Sequence, residues 1–145
     1  MEAQQPRQNH HDNPIPPLRQ ILEDIDKIAP EWKWALQVFF LYGVRPHELW
    51  ECEVLDNCLL RVSDNTKTGL RVAMPREKQL VEKWDLFGTG HERLPQTFGR
   101  RAVHPEQCVS MEFNRVRLEA GIKYPAYAIR HEWQRGPDPC RRWSA

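Results

Sequence analysis

Residues 34–49 read WALQVFFLYGVRPHEL, and the rest of the chain has to be arranged around them. From Trp34 to Tyr42 the run is apolar on nearly every side. A helix of that kind has no face to offer water, so it belongs at the centre of a core. Pro30 opens it at the first position, where a missing N–H costs nothing. Gly43 stops it by supplying the left-handed residue that closes helices. Arg45 and Pro46 follow at once, which sets a charge at the mouth of the most buried element.

Upstream, Leu18, Ile21, Leu22, Ile25 and Ile28 step by three and four, as one face of an amphipathic helix does. Downstream, Pro46 predicts a short helix over HELWECE (47–53), with Leu49 and Trp50 turned inward. CLLRV (58–62) and LRVAM (70–74) lean toward strand and flank the turn formers SDNTKTG (63–69). The expectation is a β-hairpin with Lys67 and Thr68 at its tip or just beyond, ended by Pro75. Residues 77–87 predict a helix through Leu80, Val81 and Trp84, and 88–104 read as a loop. Pro105 opens another helix with a stripe of Val109, Phe113, Val116 and Ala120, ended by Gly121. Tyr124 and Pro125 lead into AYAIRHEW (126–133). The fold class expected is therefore α+β, mostly α, with a small hairpin or sheet.

A chain of 145 residues has the length of one domain. Residues 1–17 are polar and punctuated by proline, and read as a disordered tail. Residues 18–133 form the folded domain, and 134–145 read as an irregular tail. No window is apolar enough for a membrane span, and the N-terminus lacks the apolar core of a signal peptide. The cytoplasm is the expected location, with thiols reduced. Cysteines 52, 58, 108 and 140 have no metal-type spacing. His10-His11, and His104 with Cys108, lack the further ligands that zinc needs, so no metal site is expected. The net charge of +1 hides an asymmetry. Residues 1–90 hold 11 Lys and Arg against 14 Asp and Glu, and residues 91–145 hold 10 against 6. A basic half of this size is compatible with a polyanion-binding face or with a solvated surface.

Three motifs occur in order: GVRPHEL (43–49), KTG (67–69) in the hairpin turn, and YAIRH (127–131). Together they resemble the catalytic domain of the tyrosine recombinases, the phage-integrase family, over about residues 18–133. The family's first arginine lies in a Gly-x-Arg-x-x-Glu-Leu motif. Its lysine sits in a hairpin turn, and its second arginine in a His-x-x-Arg-His box, matched here in part because Tyr127 stands where that box has its first histidine. The resemblance implies that Arg45 and Arg130 clamp a DNA phosphate and that Lys67 acts as general acid. Glu48 would hold Arg45, His131 would orient the site or assist proton transfer, and Tyr127 would donate a hydrogen bond to phosphate. The chemistry suits those residue types. Two guanidinium forks match the oxygens of a phosphorane, preorganised charge is the main catalytic term, and a compact ammonium can protonate a leaving oxygen.

The implied partners are double-stranded DNA and full-length recombinase subunits, with no membrane and no small-molecule cofactor. The pattern departs from the family after Arg130. Fifteen residues remain, and Tyr42, Tyr124 and Tyr127 all precede it, so no tyrosine stands at the family's nucleophile position. The expectation is a C-terminally truncated recombinase that is cleavage-deficient alone. Two alternatives are a non-catalytic DNA-binding accessory protein and an unrelated helical interaction domain.

Overall fold

The computed structural model describes residues 16–63, 70–95 and 105–134. The fold is α+β and mostly α, with a small four-stranded antiparallel sheet. The central element is α2 (Lys33–Tyr42), entered through a 3-10 turn at Pro30–Trp32 that has Pro30 at its first position. Every residue from Trp34 to Tyr42 is buried. Gly43 closes the helix in the left-handed region (φ 65°, ψ 31°), as the sequence predicts.

Around α2 the other elements contribute one face each. Helix α1 (Leu18–Ile25) buries Ile21 and Ile25, and Ile28 just beyond its end is also buried. Leu18 and Leu22, predicted to share that face, are exposed instead. The apolar stripe is thus broader than the surface it meets. Helix α5 (Pro105–Glu119) packs Phe113 edge-on against Phe39, with ring centroids 4.8 Å apart, and buries Val109 and Val116. Helix α6 (Ala126–Gln134) lies against α2. Helix α3 (Lys78–Trp84) buries Val81, with Leu80 and Trp84 packed at the core's margin.

The sheet order is β3-β2-β1-β4, from β1 (Glu53–Val54), β2 (Leu60–Ser63), β3 (Leu70–Ala73) and β4 (Gly88–Thr89). The hairpin expected from CLLRV and LRVAM is present as β2 and β3, with Leu60 opposite Ala73 and Val62 opposite Arg71. Two expectations fail here. The helix over 47–53 is only a 3-10 turn at Pro46–Glu48, and the chain then extends into β1. The loop over 88–104 begins as β4 and the short helix α4 (Gly90–Arg93). Gly90 donates its N–H to the Cys52 carbonyl at 2.8 Å, and its Cα abuts Leu49 so closely that any side chain would overlap the backbone. That contact between distant segments leaves no periodic trace in the sequence.

The hairpin tip with Lys67 and Thr68, residues 1–15 of the N-terminal tail, and residues 135–145 of the C-terminal tail lie outside the described residues. Cys52, Cys58 and Cys108 are free thiols. Among the described residues no helix is long and apolar enough to cross a membrane, and no three His, Cys, Asp or Glu side chains group as metal ligands do.

Candidate functional site

A helix ends with carbonyls that have no partner inside it, and burying that end requires donors from elsewhere. At the end of α2 the donors come from two distant segments. The Phe40 carbonyl accepts from Arg76 Nε at 3.3 Å. The Leu41 carbonyl accepts from the Arg76 N–H at 2.7 Å and from Trp133 Nε1 at 2.9 Å. The Gly43 carbonyl accepts from Arg130 Nη1 at 2.6 Å. Arg76 also pairs with Glu132 at 2.7 Å. Cations at this end are further favoured by the helix dipole. Helix α6 and the segment after β3 are thereby fastened to the same few residues.

Arg45 follows in extended conformation, with Pro46 opening the next turn. Glu48, at the end of that turn, is the hub. Its carboxylate accepts the Arg45 N–H at 2.9 Å and Arg45 Nη1 at 3.5 Å, and forms an ion pair with Arg71 Nη2. The Glu48 side chain is 7% exposed, against 39% for Arg45 and 21% for Arg71. Arg130 is buried. Its guanidinium is pushed below the ordinary arginine range, first by burial and then by the Arg45 charge, with Arg71 adding to this and Glu48 and Tyr127 opposing it. Three guanidinium groups and one carboxylate are therefore within electrostatic reach of one another and carry a net charge of +2. Such a cluster can bind an oxyanion, and the forked geometry of arginine favours phosphate.

Of the residues singled out in the sequence, Arg45, Glu48 and Arg130 come together. Tyr127 lies one turn before Arg130 on α6, half-buried. His131 is half-buried beside it, with its ring centroid 6.3 Å from that of Tyr127. Lys67 lies outside the described residues. Two of the tyrosines have structural duties. The Tyr42 hydroxyl donates to the Cys58 carbonyl at 2.6 Å, and the Tyr124 hydroxyl to Asp24 Oδ2 at 2.6 Å. Burial raises both phenol pKa values well above the ordinary range, with Cys58 and Cys52 adding for Tyr42 and Asp24 for Tyr124.

Arg71 was not singled out in the sequence. Its signal is strand alternation. Arg71 and Ala73 share one face of β3, opposite Val62 and Leu60, and those three neighbours are fully buried. Arg61, on the other face, points to Glu53 at the surface. An arginine on the inward face of a hairpin needs a counter-charge, and Glu48 supplies it.

Among curated proteins the chain is similar to Excisase A of Nostoc sp. (strain PCC 7120 / SAG 25.82 / UTEX 2576), with 24% identity over 130 aligned residues. The match covers 79% of this chain and 27% of that protein, so the chain spans about a quarter of its relative's length. No protein-family model matches. No solved structure matches either.

Proposed function

We propose that this chain is a DNA-recombination protein of the tyrosine-recombinase kind, engaging the backbone of double-stranded DNA through Arg45 and Arg130. The observation that carries the reading is the meeting of these two arginines. Arg130 holds the carbonyl of Gly43, 87 residues away in sequence, while Arg45 leaves the same corner and is held by Glu48. The similarity to Excisase A supports a role connected with recombination. In this reading Lys67 donates a proton to the leaving oxygen, His131 orients the site or assists that transfer, and Tyr127 donates a hydrogen bond to phosphate. Tyr42 and Tyr124 are occupied within the core, which favours binding without cleavage by this chain alone.

The test is a titration against duplex DNA over a range of salt concentrations. Each phosphate contact contributes about −0.9 to the slope of log K against log salt. Arg45→Ala should lower affinity about 10- to 100-fold, the worth of a charged hydrogen bond of roughly 1.5–3 kcal/mol, and flatten the slope by about 1. Arg115→Ala is the control, because Arg115 is exposed on α5 and paired with Glu112 and Glu119. A folded protein that ignores duplex DNA, or one that Arg45→Ala leaves unchanged, would overturn the reading.

A further inference from the structure

From Trp34 to Tyr42, helix α2 carries one carboxamide among apolar and aromatic side chains, that of Gln37, which is 7% exposed. A buried carboxamide needs hydrogen-bond partners, because its donors and its acceptor have given up water. Among the described residues the Gln37 amide has none. It opens instead onto a cleft of about 400 Å³ beside the first turn of α2, at the far end of that helix from Arg45. The walls of this cleft are already fixed. Trp34 donates its Nε1–H to the Leu86 carbonyl at 2.9 Å. Arg93 donates through Nη1 to the Asp85 and Phe87 carbonyls at 2.9 and 2.8 Å, and its guanidinium lies 5.8 Å from the centroid of the Trp34 ring. Trp84 adds a half-buried indole. Lys33 stands one turn before Gln37, on the same face of the helix, and pairs with exposed Asp26 at 3.4 Å. With Glu31 as the carboxylate of the lining, two cations face one anion, and the first turn of α2 adds partial positive charge.

We propose that this cleft is a nucleotide site, in which Gln37 bonds the edge of a base, Trp84 packs against its ring, and Lys33 and Arg93 meet its phosphate. The volume is at the low end for small-ligand sites, about 300–1,000 Å³, which gives room for one ring system and a charged substituent. A carboxamide sets an N–H donor beside a carbonyl acceptor, and that pair matches the acceptor and donor on the edge of adenine. Aromatic side chains stack on bases of any sequence, and cationic donors bind phosphate more strongly than neutral ones do. The site stands apart from the arginine corner and does not depend on the reading of Arg45 and Arg130. Its occupant is a free nucleotide or an unpaired nucleotide of a DNA strand, which present the same chemistry.

The probes are adenosine monophosphate and adenosine, titrated calorimetrically against the full chain. The wild type should bind both. Gln37→Leu should weaken both about 5- to 100-fold, the worth of a paired contact to a base edge. Because that variant removes an unpaired buried amide, it should fold at least as stably as the wild type, so lost binding is not lost folding. Lys33→Gln should weaken adenosine monophosphate about 2- to 5-fold, as for a half-exposed charge pair, and leave adenosine unchanged. A wild type indifferent to millimolar adenosine monophosphate overturns the proposal, and so does a folded Gln37→Leu that binds it like the wild type. DNA separates the two sources. A duplex with one bulged adenine that binds more tightly than the fully paired duplex, with Gln37→Leu erasing the difference, assigns the nucleotide to a strand. Equal binding of the two duplexes, with adenosine monophosphate held through Gln37, assigns a free nucleotide. Arg45→Ala should leave adenosine monophosphate binding intact, so a failure to bind duplex DNA counts against the arginine reading and not against this site.

Discussion

Gly43 and Trp133 are in contact so close that a Cβ on residue 43 would fall 2.6 Å from the Trp133 Cγ. The indole covers the end of α2 and donates to the Leu41 carbonyl, while Gly43 takes the positive φ that the helix end requires. Gly43→Ala therefore meets two penalties at once. The left-handed backbone costs about 1–2 kcal/mol, and overpacking adds about 1–3 kcal/mol. Urea unfolding should show a loss of roughly 2–5 kcal/mol, with Arg130 displaced and DNA affinity falling alongside. A loss below about 1 kcal/mol would mean that Trp133 yields easily and is not the element that fixes the corner.

Glu48→Ala removes the hub and leaves Arg45 and Arg71 facing each other. Breaking a buried charged pair by deleting one partner costs about 3–5 kcal/mol. Added sulfate should recover more melting temperature in this variant than in the wild type, because an anion can take the place of the lost carboxylate. Equal recovery in both proteins would show that the two arginines do not share an anion.

Tyr124→Phe tests the contact between α1 and the segment that precedes α6. Asp24 is buried and accepts from Tyr124 at 2.6 Å and from Gln20 at 3.0 Å, with Lys27 at 3.3 Å. Losing a hydrogen bond to a charged acceptor costs about 1.5–3 kcal/mol, and unfolding experiments should find that loss. DNA binding should be unchanged once the protein is folded. A binding defect in the folded variant would mean that the phenol belongs to the site.

Stability should fall on the alkaline side. Tyr42, Cys52 and Tyr124 all have raised pKa values, with burial the largest cause in each; the Glu48 carboxylate adds to it for Cys52. Each group keeps its proton in the folded chain after the unfolded chain has released it. Unfolded thiols titrate near 8.5 and phenols near 10. Their contribution is fully present below about pH 8 and is lost as pH rises, by up to about 1.4 kcal/mol per pH unit for each group. Urea midpoints from pH 7 to 11 would show this decline. A flat profile would mean that the core admits water at these side chains.

The helix from Trp34 to Tyr42, its start at Pro30 and its stop at Gly43 were legible because they depend on local rules of apolar content and special backbone residues. The meeting of Arg45 and Arg130 was legible only through the family resemblance, since no local pattern links residues so far apart. Leu18 and Leu22 misled because periodicity reports which face is apolar, not how much of it finds a neighbour. β1 and β4 were missed because two-residue strands carry no alternation; they exist through pairing with β2 and with each other. Arg71 could have been found by laying LRVAM against CLLRV in register, which places it opposite Val62 on the inward face.

The fastening of α2 by α6 also has a consequence in time. The carbonyls of Gly43 and Leu41 are met by Arg130 and Trp133, which come 87 and 92 residues later in the chain. Synthesis at about 5–20 residues per second makes the nascent chain carry α2 for roughly 5–20 seconds before α6 exists to cover its end. During that interval the most apolar segment of the protein is a ready target for chaperones and for other nascent chains. The yield of folded protein in a cell should therefore depend on how fast translation delivers residues 126–134.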